Sequence, residues 1–166
     1  CTPSTLCSTP STPCSTPSTL CSTPGAQPVK QMPAQASRDE IVEAVRCHPV
    51  TIITGDTGCG KSSLVPQFLL DAGLLPAGKQ IVCTQPRRIS AITLAEYVAL
   101  QRGSAVGEEV GYQIRFINET GERTRLIYAT TALLLRRIHT DPALSTVGCL
   151  VMDEVHERDQ YSDFLL

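Results

Sequence analysis

The amino-acid sequence predicts an α/β fold in which a parallel β-sheet carries helices on both faces. Three observations lead to this prediction. From about residue 36 onward, short β-branched or apolar runs alternate with helical runs, as they do in parallel sheets. A glycine-rich loop separates the first such run from the next helix. An acidic pair follows the last apolar run, where the ligand-binding edge of such a sheet would lie.

The elements follow from local signals in chain order. Ser37 and Glu40 form a Ser-x-x-Glu capping box, which predicts a helix that ends at Pro49. The β-branched residues 50–54 predict a buried strand. The next elements are helix 61–72 with an interior kink at Pro66 and a stop at Gly73, strand 80–84, helix 90–100, strands 110–117 and 124–129, helix 132–139 and strand 149–152, with a further helix starting at 162–166.

The first 24 residues are a heptad repeat of Cys, Ser, Thr and Pro without a charged residue. The frequent prolines exclude helix and paired strand, so we predict a disordered low-complexity segment over residues 1–35. A partial domain, truncated at its C-terminus, is predicted over residues 36–166. The repeat itself is interpreted as a linker or a translated nucleotide repeat, with a phosphorylation tail or an organelle-targeting leader as alternatives.

Composition limits the classes of function. The chain has 166 residues and a formal net charge of −2, so any nucleic-acid contact is expected to be local. The sequence has neither an apolar run of membrane-spanning length nor a signal peptide, and we expect an intracellular protein of the nucleus, cytoplasm or an organelle. The eight cysteines show no zinc-type spacing; buried free thiols are expected at Cys47, Cys59, Cys83 and Cys149.

Residues 55–63, GDTGCGKSS, fit the phosphate-loop pattern G-x-x-x-x-G-K-[ST]. Glycines let the loop backbone direct its N–H groups at phosphate, Lys61 reaches the β- and γ-phosphates, and the Ser62 hydroxyl suits Mg²⁺. The pattern therefore predicts a site for ATP and Mg²⁺. Its predicted nucleotide-binding residues are Gly55, Asp56, Thr57, Gly58, Cys59, Gly60, Lys61, Ser62 and Ser63.

Asp153 and Glu154 directly follow the apolar run 149–152. An acidic pair at a strand end is often only a solvated turn. A phosphate loop in the same predicted sheet favours a phosphoryl-transfer site, in which the aspartate holds Mg²⁺ and the glutamate orients the attacking water. The predicted metal-binding residues are Ser62, Asp153 and Glu154.

With GDTGCGKSS at 55–63 and DEVHER at 153–158, the chain resembles the first RecA-like domain, a P-loop NTPase domain, of DEAH/RHA (DExH-box) ATP-dependent RNA helicases. The resemblance covers about residues 36–166. Three further segments match the family: TQPRRISA at 84–91, VGYQIRF at 110–116 and ATTALLLRR at 129–137. An unrelated P-loop ATPase would share only the loop and the acidic motif, and is disfavoured.

The resemblance implies an enzyme that couples NTP hydrolysis to RNA binding and unwinding. It assigns catalysis to Lys61, Asp153, Glu154 and His156. It assigns contacts with the backbone of single-stranded RNA to Arg87, Arg88 and Thr131. Tyr97 stands where the family often has an arginine against adenine, and we expect its ring to stack on the base. Ala132 replaces a glycine that is usual in the family, and its methyl group would hinder approach of the RNA backbone.

The resemblance also implies a second RecA-like domain, to which His156 would transmit the nucleotide state. Without the arginine fingers of that domain we expect only trace ATPase and no unwinding from residues 1–166. The alternative is a truncated or decayed helicase remnant that binds nucleotide without catalysing unwinding. Without the family match, Tyr112 and Phe116 would be core residues, and Arg136 and Arg137 would complement a helix dipole.

Overall fold

The computed structural model describes residues 32–166; the repeat and the disorder predicted for it lie outside the described residues. The helices are α1 Pro33–Ala36, α2 Arg38–Cys47, α3 Lys61–Asp71, α4 Arg88–Gln101, α5 Thr131–Thr140 and α6 Gln160–Leu165, with a 3₁₀ turn at Val155–Glu157. The strands are β1 Gln80–Gln85, β2 Val110–Ile114, β3 Ile117–Glu119, β4 Leu126–Thr130 and β5 Val147–Met152. Between residues 32 and 166, no helix is long and apolar enough to cross a membrane.

The five strands form one sheet in the order β3-β2-β4-β1-β5. All neighbours are parallel except β2 and β3. Successive side chains of β1 point to opposite faces: Ile81 and Cys83 pack with residues of α2, α3 and α4, whereas Val82 packs with Leu134 of α5 and Leu165 of α6. The predicted α/β fold, with helices on both faces of a mostly parallel sheet, is confirmed.

Most predicted elements are present with ends shifted by one to three residues. Helix α3 contains Pro66 in its interior and is followed by Gly73, whose φ of 61° is the left-handed conformation of a helix stop. Helix α4 begins at Arg88, two positions before the predicted start at Ser90. Helix α1 was not predicted. The cysteine prediction is wrong at Cys47, which is exposed, while Cys83 is buried.

The predicted capping box at Ser37 is wrong. Ser37 has φ −98° and ψ 15° and makes no side-chain capping hydrogen bond. Helix α1 ends immediately before it, so the backbone at Ser37 stays close to helical values instead of taking the extended conformation that an N-cap requires. The carbonyl of Ser37 nevertheless accepts a hydrogen bond from the Ile41 N–H at 3.0 Å.

The predicted buried strand at residues 50–54 is also wrong. No strand is assigned there, and Val50 and Ile52 are 78% and 85% exposed. Only Ile53 packs on the main hydrophobic cluster. A β-branched run becomes a strand when a neighbour completes its hydrogen bonds, and none of the described strands pairs with this segment.

The predicted strand 110–117 is instead a hairpin. Strands β2 and β3 pair in antiparallel register with Ile114 opposite Ile117, so Arg115 and Phe116 form the turn. Phe116 has φ 70° and is 87% exposed, which excludes the core position that its residue type alone favours. The sequence contains none of the usual turn glycines or asparagines here, so the reversal was missed. Tyr112, by contrast, packs partly buried against the core.

Candidate functional site

The phosphate loop leads directly into α3, and Gly60 is the residue that caps this helix. Gly60 has φ +99°, and a Cβ atom at this position would lie 2.8 Å from Leu64 Cδ1 and 3.0 Å from Met32 Sδ. The left-handed conformation therefore favours glycine, and a Cβ atom would also displace the ends of these two side chains. Because the loop ends at a helix N-terminus, the unpaired N–H groups of the first helical turn are available to an anion.

The Lys61 ammonium group bonds to the backbone of the phosphate loop itself. Its Nζ donates hydrogen bonds to the carbonyl oxygens of Gly55 at 2.5 Å and Asp56 at 2.8 Å, and lies 3.5 Å from Cys59 Sγ. The loop is also attached to α1, because the Ala34 N–H donates to the Cys59 carbonyl at 3.1 Å. The chain entering the domain thus packs directly on the loop.

The acid pair lies at the carboxyl end of β5. Asp153 Oδ2 accepts a hydrogen bond from Gln85 Nε2 at 2.6 Å, and Oδ1 accepts one from the Glu154 N–H at 2.9 Å. Glu154 has φ 52°, a left-handed conformation that costs a non-glycine residue about 1–3 kcal/mol. Its Oε2 lies 3.3 Å from His156 Nε2. Both carboxylates are half-buried.

A buried tyrosine of β4 bonds to the helix that follows the phosphate loop. The Tyr128 hydroxyl donates to the Ser62 carbonyl at 3.0 Å. Burial, followed by the proximity of the Cys83 thiol and the Asp153 carboxylate, raises the pKa of Tyr128, so its hydroxyl remains a neutral donor at physiological pH. The start of α3 is therefore bonded to β4, close enough to Asp153 for that carboxylate to affect the pKa of the same hydroxyl.

The residues at this position fit a magnesium ion. The Ser62 hydroxyl and the Asp153 carboxylate supply hard oxygen ligands, which Mg²⁺ prefers. Among residues 32–166 no cluster of three or more His, Cys, Asp or Glu side chains is suited to hold a metal.

The residues expected to contact RNA separate into two groups. Arg87 and Arg88 lie on the surface after β1: Arg87 pairs with Glu157 at 3.0 Å, and Arg88 donates to the Arg115 carbonyl at 3.3 Å. Thr131 is only 3% exposed, and its hydroxyl donates to the Gln85 carbonyl at 3.3 Å. Both arginines therefore lie on the surface, whereas the Thr131 side chain lies in the interior.

The turn of the β2–β3 hairpin adds residues that sequence reasoning did not assign to the site. The Arg115 guanidinium lies 4.8 Å from the centre of the Phe116 ring, within the range of a cation–π contact. Together with Arg88, this turn makes a basic and aromatic surface at the carboxyl edge of the sheet. The available sequence signal for these two residues was the family match of the segment VGYQIRF. That match does not show that its last two residues are exposed, because their exposure depends on the hairpin.

Tyr97 is connected to the phosphate loop through two glutamines. Its hydroxyl accepts from Gln101 Nε2 at 2.9 Å, and Gln101 Oε1 accepts from Gln67 Nε2 at 3.0 Å. Gln67 Nε2 also donates to the Ser63 carbonyl at 2.8 Å, within the first turn of α3. The ring is 41% exposed, so it is open to a ligand beside α3.

The sheet order, the loop before α3 and the acid pair after β5 define the class of protein: an α/β domain of the RecA-like P-loop type. The family model of the DEAD/DEAH box helicases matches residues 35–164. The chain belongs to this family.

Named relatives are similar over most of the chain. A human putative ATP-dependent RNA helicase, DHX57, is 51% identical over 140 residues, which cover 82% of this chain and 10% of that protein. The Arabidopsis thaliana DExH-box ATP-dependent RNA helicase DExH1 is 44% identical over 140 residues, 82% of this chain and 14% of the relative. The human probable ATP-dependent RNA helicase DHX34 is 44% identical over 135 residues, 81% of this chain and 12% of the relative. The chain thus spans 10–14% of the length of these relatives.

Proposed function

We propose that this chain is the ATP-binding part of the motor of an ATP-dependent RNA helicase. The observation that carries the proposal is that the phosphate loop leads into α3 at Gly60 while the acid pair follows the carboxyl end of β5, and that the Tyr128 hydroxyl bonds the first turn of α3 to the same sheet. This arrangement suits a nucleoside triphosphate whose phosphates contact the loop while its terminal phosphate faces the acid pair. The names of the relatives and their 44–51% identity support a helicase rather than a decayed remnant.

The chemistry follows from the charges of the site. Lys61 exchanges its bonds to the loop carbonyls for bonds to phosphate oxygens and so neutralises part of their charge. A magnesium ion held by Ser62 and Asp153 would neutralise more of that charge. The Glu154 carboxylate accepts a proton from the attacking water as the bond between the γ-phosphorus and the leaving oxygen breaks. His156, beside Glu154, is suited to report the nucleotide state to a second RecA-like domain.

RNA would bind along the surface that lies beyond the carboxyl ends of β1 and β2. Arginine guanidinium groups suit phosphate oxygens, and such contacts position nucleic acid without reading its sequence. The exposed Phe116 ring offers a stacking surface for an unpaired base. Arg87, Arg88 and Arg115 would supply the positive charge. We place this function in the nucleus, the cytoplasm or an organelle.

Replacing the phosphate-loop lysine tests nucleotide binding. We expect Lys61→Ala to abolish binding of a fluorescent ATP analogue, because the variant removes the only side-chain cation of the loop segment 55–63. Fluorescence titration of the chain in the presence of Mg²⁺ measures the affinity.

Lys79→Ala is the matched control, because Lys79 lies at the amino end of β1 and its ammonium contacts the Ser145 carbonyl. This variant should bind the analogue as the unaltered chain does. Equal affinity of the Lys61→Ala variant and the unaltered chain would refute the proposed site.

A further inference from the structure

We propose that Gln85 and Glu157 are positioning residues that link an RNA phosphate at Arg87 to the acid pair of the nucleotide site. The inference rests on the proposed function. Strands β1 and β5 are neighbours in parallel register, with Thr84 opposite Met152. The segments that follow them therefore leave the sheet side by side. Two side-chain pairs join these ends, Gln85–Asp153 in the interior and Arg87–Glu157 at the surface.

The inner contact fixes Asp153. Gln85 is 2% exposed, and its Nε2 donates to Asp153 Oδ2 at 2.6 Å. The Gln85 carbonyl in turn accepts the Thr131 hydroxyl at 3.3 Å, and the Asp153 N–H donates to the Thr84 carbonyl at 3.3 Å. Because Gln85 is buried and its carbonyl is bonded by the buried Thr131 hydroxyl, its amide is well placed to set the orientation of the carboxylate that would face the metal.

The outer contact reaches Glu154. Arg87 NH2 lies 3.0 Å from Glu157 Oε1, and the Arg87 side chain is 71% exposed. Glu157 is the last residue of the 3₁₀ turn that begins after Glu154, and its N–H donates to the Glu154 carbonyl at 2.9 Å. His156 lies between them in the same turn. A change in the position of the Glu157 side chain therefore affects the backbone that holds Glu154 in its left-handed conformation.

A phosphate and a carboxylate compete for the same guanidinium group. An RNA phosphate that binds the Arg87 guanidinium breaks the ion pair between Arg87 and Glu157. The 3₁₀ turn then loses one of its restraints. Arg87 also follows Gln85, the residue that bonds to Asp153, by only two residues. Binding of the phosphate to Arg87 therefore affects both Asp153 and Glu154. Binding of RNA and binding of nucleotide are then linked, and the linkage is reciprocal.

The first experiment measures this linkage in the chain. The dissociation constant of a fluorescein-labelled single-stranded oligouridine is measured by anisotropy with and without a saturating non-hydrolysable ATP analogue and Mg²⁺. We expect the two constants of the unaltered chain to differ by about 5-fold or more. In Glu157→Gln the ratio should move close to one, because the pair that RNA would break is already absent. The affinity for the nucleotide analogue alone should shift toward the value that the unaltered chain shows with RNA bound, while the thermal unfolding midpoint stays unchanged.

Two variants separate the linkage from simple contact effects. Glu43→Gln breaks the exposed Glu43–Arg46 ion pair of α2, far along the chain from β5, and should keep the ratio of the unaltered chain. Arg87→Gln should weaken RNA binding both with and without nucleotide. An unchanged ratio in Glu157→Gln, or a ratio of one in the unaltered chain, overturns the inference and leaves the proposed function standing. Failure of the unaltered chain to bind either ligand counts against the proposed function itself.

The second experiment tests the inner contact. Gln85→Met keeps the buried volume but removes the donor to Asp153. We expect the Mg²⁺ concentration that half-saturates nucleotide binding to rise several-fold, with nucleotide affinity in EDTA unchanged. Gln80→Met is the control, because Gln80 lies at the opposite end of β1 and donates to the Thr124 carbonyl. Equal Mg²⁺ requirements in Gln85→Met and Gln80→Met would show that Gln85 does not position Asp153.

Discussion

At the residue scale, a proline explains how the phosphate-loop helix is attached to the sheet. Pro66 has no N–H group and leaves the carbonyl four residues earlier, that of Ser62, without its helical partner. That carbonyl instead accepts the Tyr128 hydroxyl at 3.0 Å. Pro66 therefore leaves the Ser62 carbonyl free to accept a hydrogen bond from β4.

This pairing predicts the effect of removing one oxygen atom. Tyr128→Phe should lower the free energy of unfolding by about 1 kcal/mol or more, because the Ser62 carbonyl loses its partner in a largely buried place. Nucleotide affinity should fall as well, since Ser62 begins the helix that follows the loop. Urea unfolding and titration with the fluorescent analogue measure the two effects.

Pro66→Ala supplies the control in a double-mutant cycle. In the Tyr128→Phe background the new N–H group can bond to the Ser62 carbonyl, so the second substitution should recover part of the lost stability. In the unaltered chain it would instead compete with Tyr128. If Pro66→Ala changes the free energy of unfolding equally in both backgrounds, the two residues do not share that carbonyl.

At the scale of the element, the segment 50–54 shows that β-propensity alone does not make a strand. Its β-branched residues predict a strand, yet Val50 and Ile52 are exposed and the segment has no strand partner among residues 32–166. Within the same described range, Thr51 Oγ1 is the buried side-chain polar atom that lacks a hydrogen-bond partner. At least one polar group of the segment thus has no hydrogen-bond partner. This agrees with a segment that becomes a strand only when a neighbouring strand supplies the missing hydrogen bonds.

A pair of adjacent substitutions tests this description of the segment. Ile52→Lys should change the free energy of unfolding by no more than about 0.5 kcal/mol, because the Ile52 side chain is exposed. Ile53→Lys should cost well over about 1 kcal/mol, because Ile53 packs on the main hydrophobic cluster. Urea unfolding of both variants measures the difference. Equal destabilisation at the two positions would favour the buried strand that the sequence predicts.

At the scale of the whole molecule, the distribution of charge matters more than its sum. The chain carries a formal net charge of −2, so any contact with nucleic acid must depend on a local cluster of positive charge. The sheet topology brings Arg87, Arg88 and Arg115 to the same edge, since β1 and β2 run parallel to β4 and end on the same side. Phe116 stands beside them with its ring exposed.

This surface predicts two separable effects on RNA binding. Arg88→Gln should weaken binding of oligouridine and reduce the slope of log K against log salt by about 0.7, the value for one phosphate contact with a single strand. Phe116→Ala should weaken binding with an unchanged slope, because stacking releases no counterions. Anisotropy titrations at several salt concentrations give both quantities. Phe164→Ala, which truncates another exposed phenylalanine in α6, is the control and should alter neither.

The sequence by itself determined the type and order of most elements, the phosphate loop and the position of the acid pair. These depend on local rules, such as the hydrophobic pattern, glycine positions and residue spacing, which act within a few residues of the chain. Local rules failed where a neighbour decides the outcome, as at Ser37, at residues 50–54 and at the Arg115–Phe116 turn.

Only the tertiary structure decided which distant residues meet. The contacts Gln85–Asp153, Arg87–Glu157 and Tyr128–Ser62 join residues that are 68, 70 and 66 positions apart. They depend on the order and register of β1, β4 and β5. The Tyr128–Ser62 contact depends also on the helical hydrogen bond that the Ser62 carbonyl lacks. No local pattern contains that information, because strand order is fixed by how the whole sheet buries its two faces.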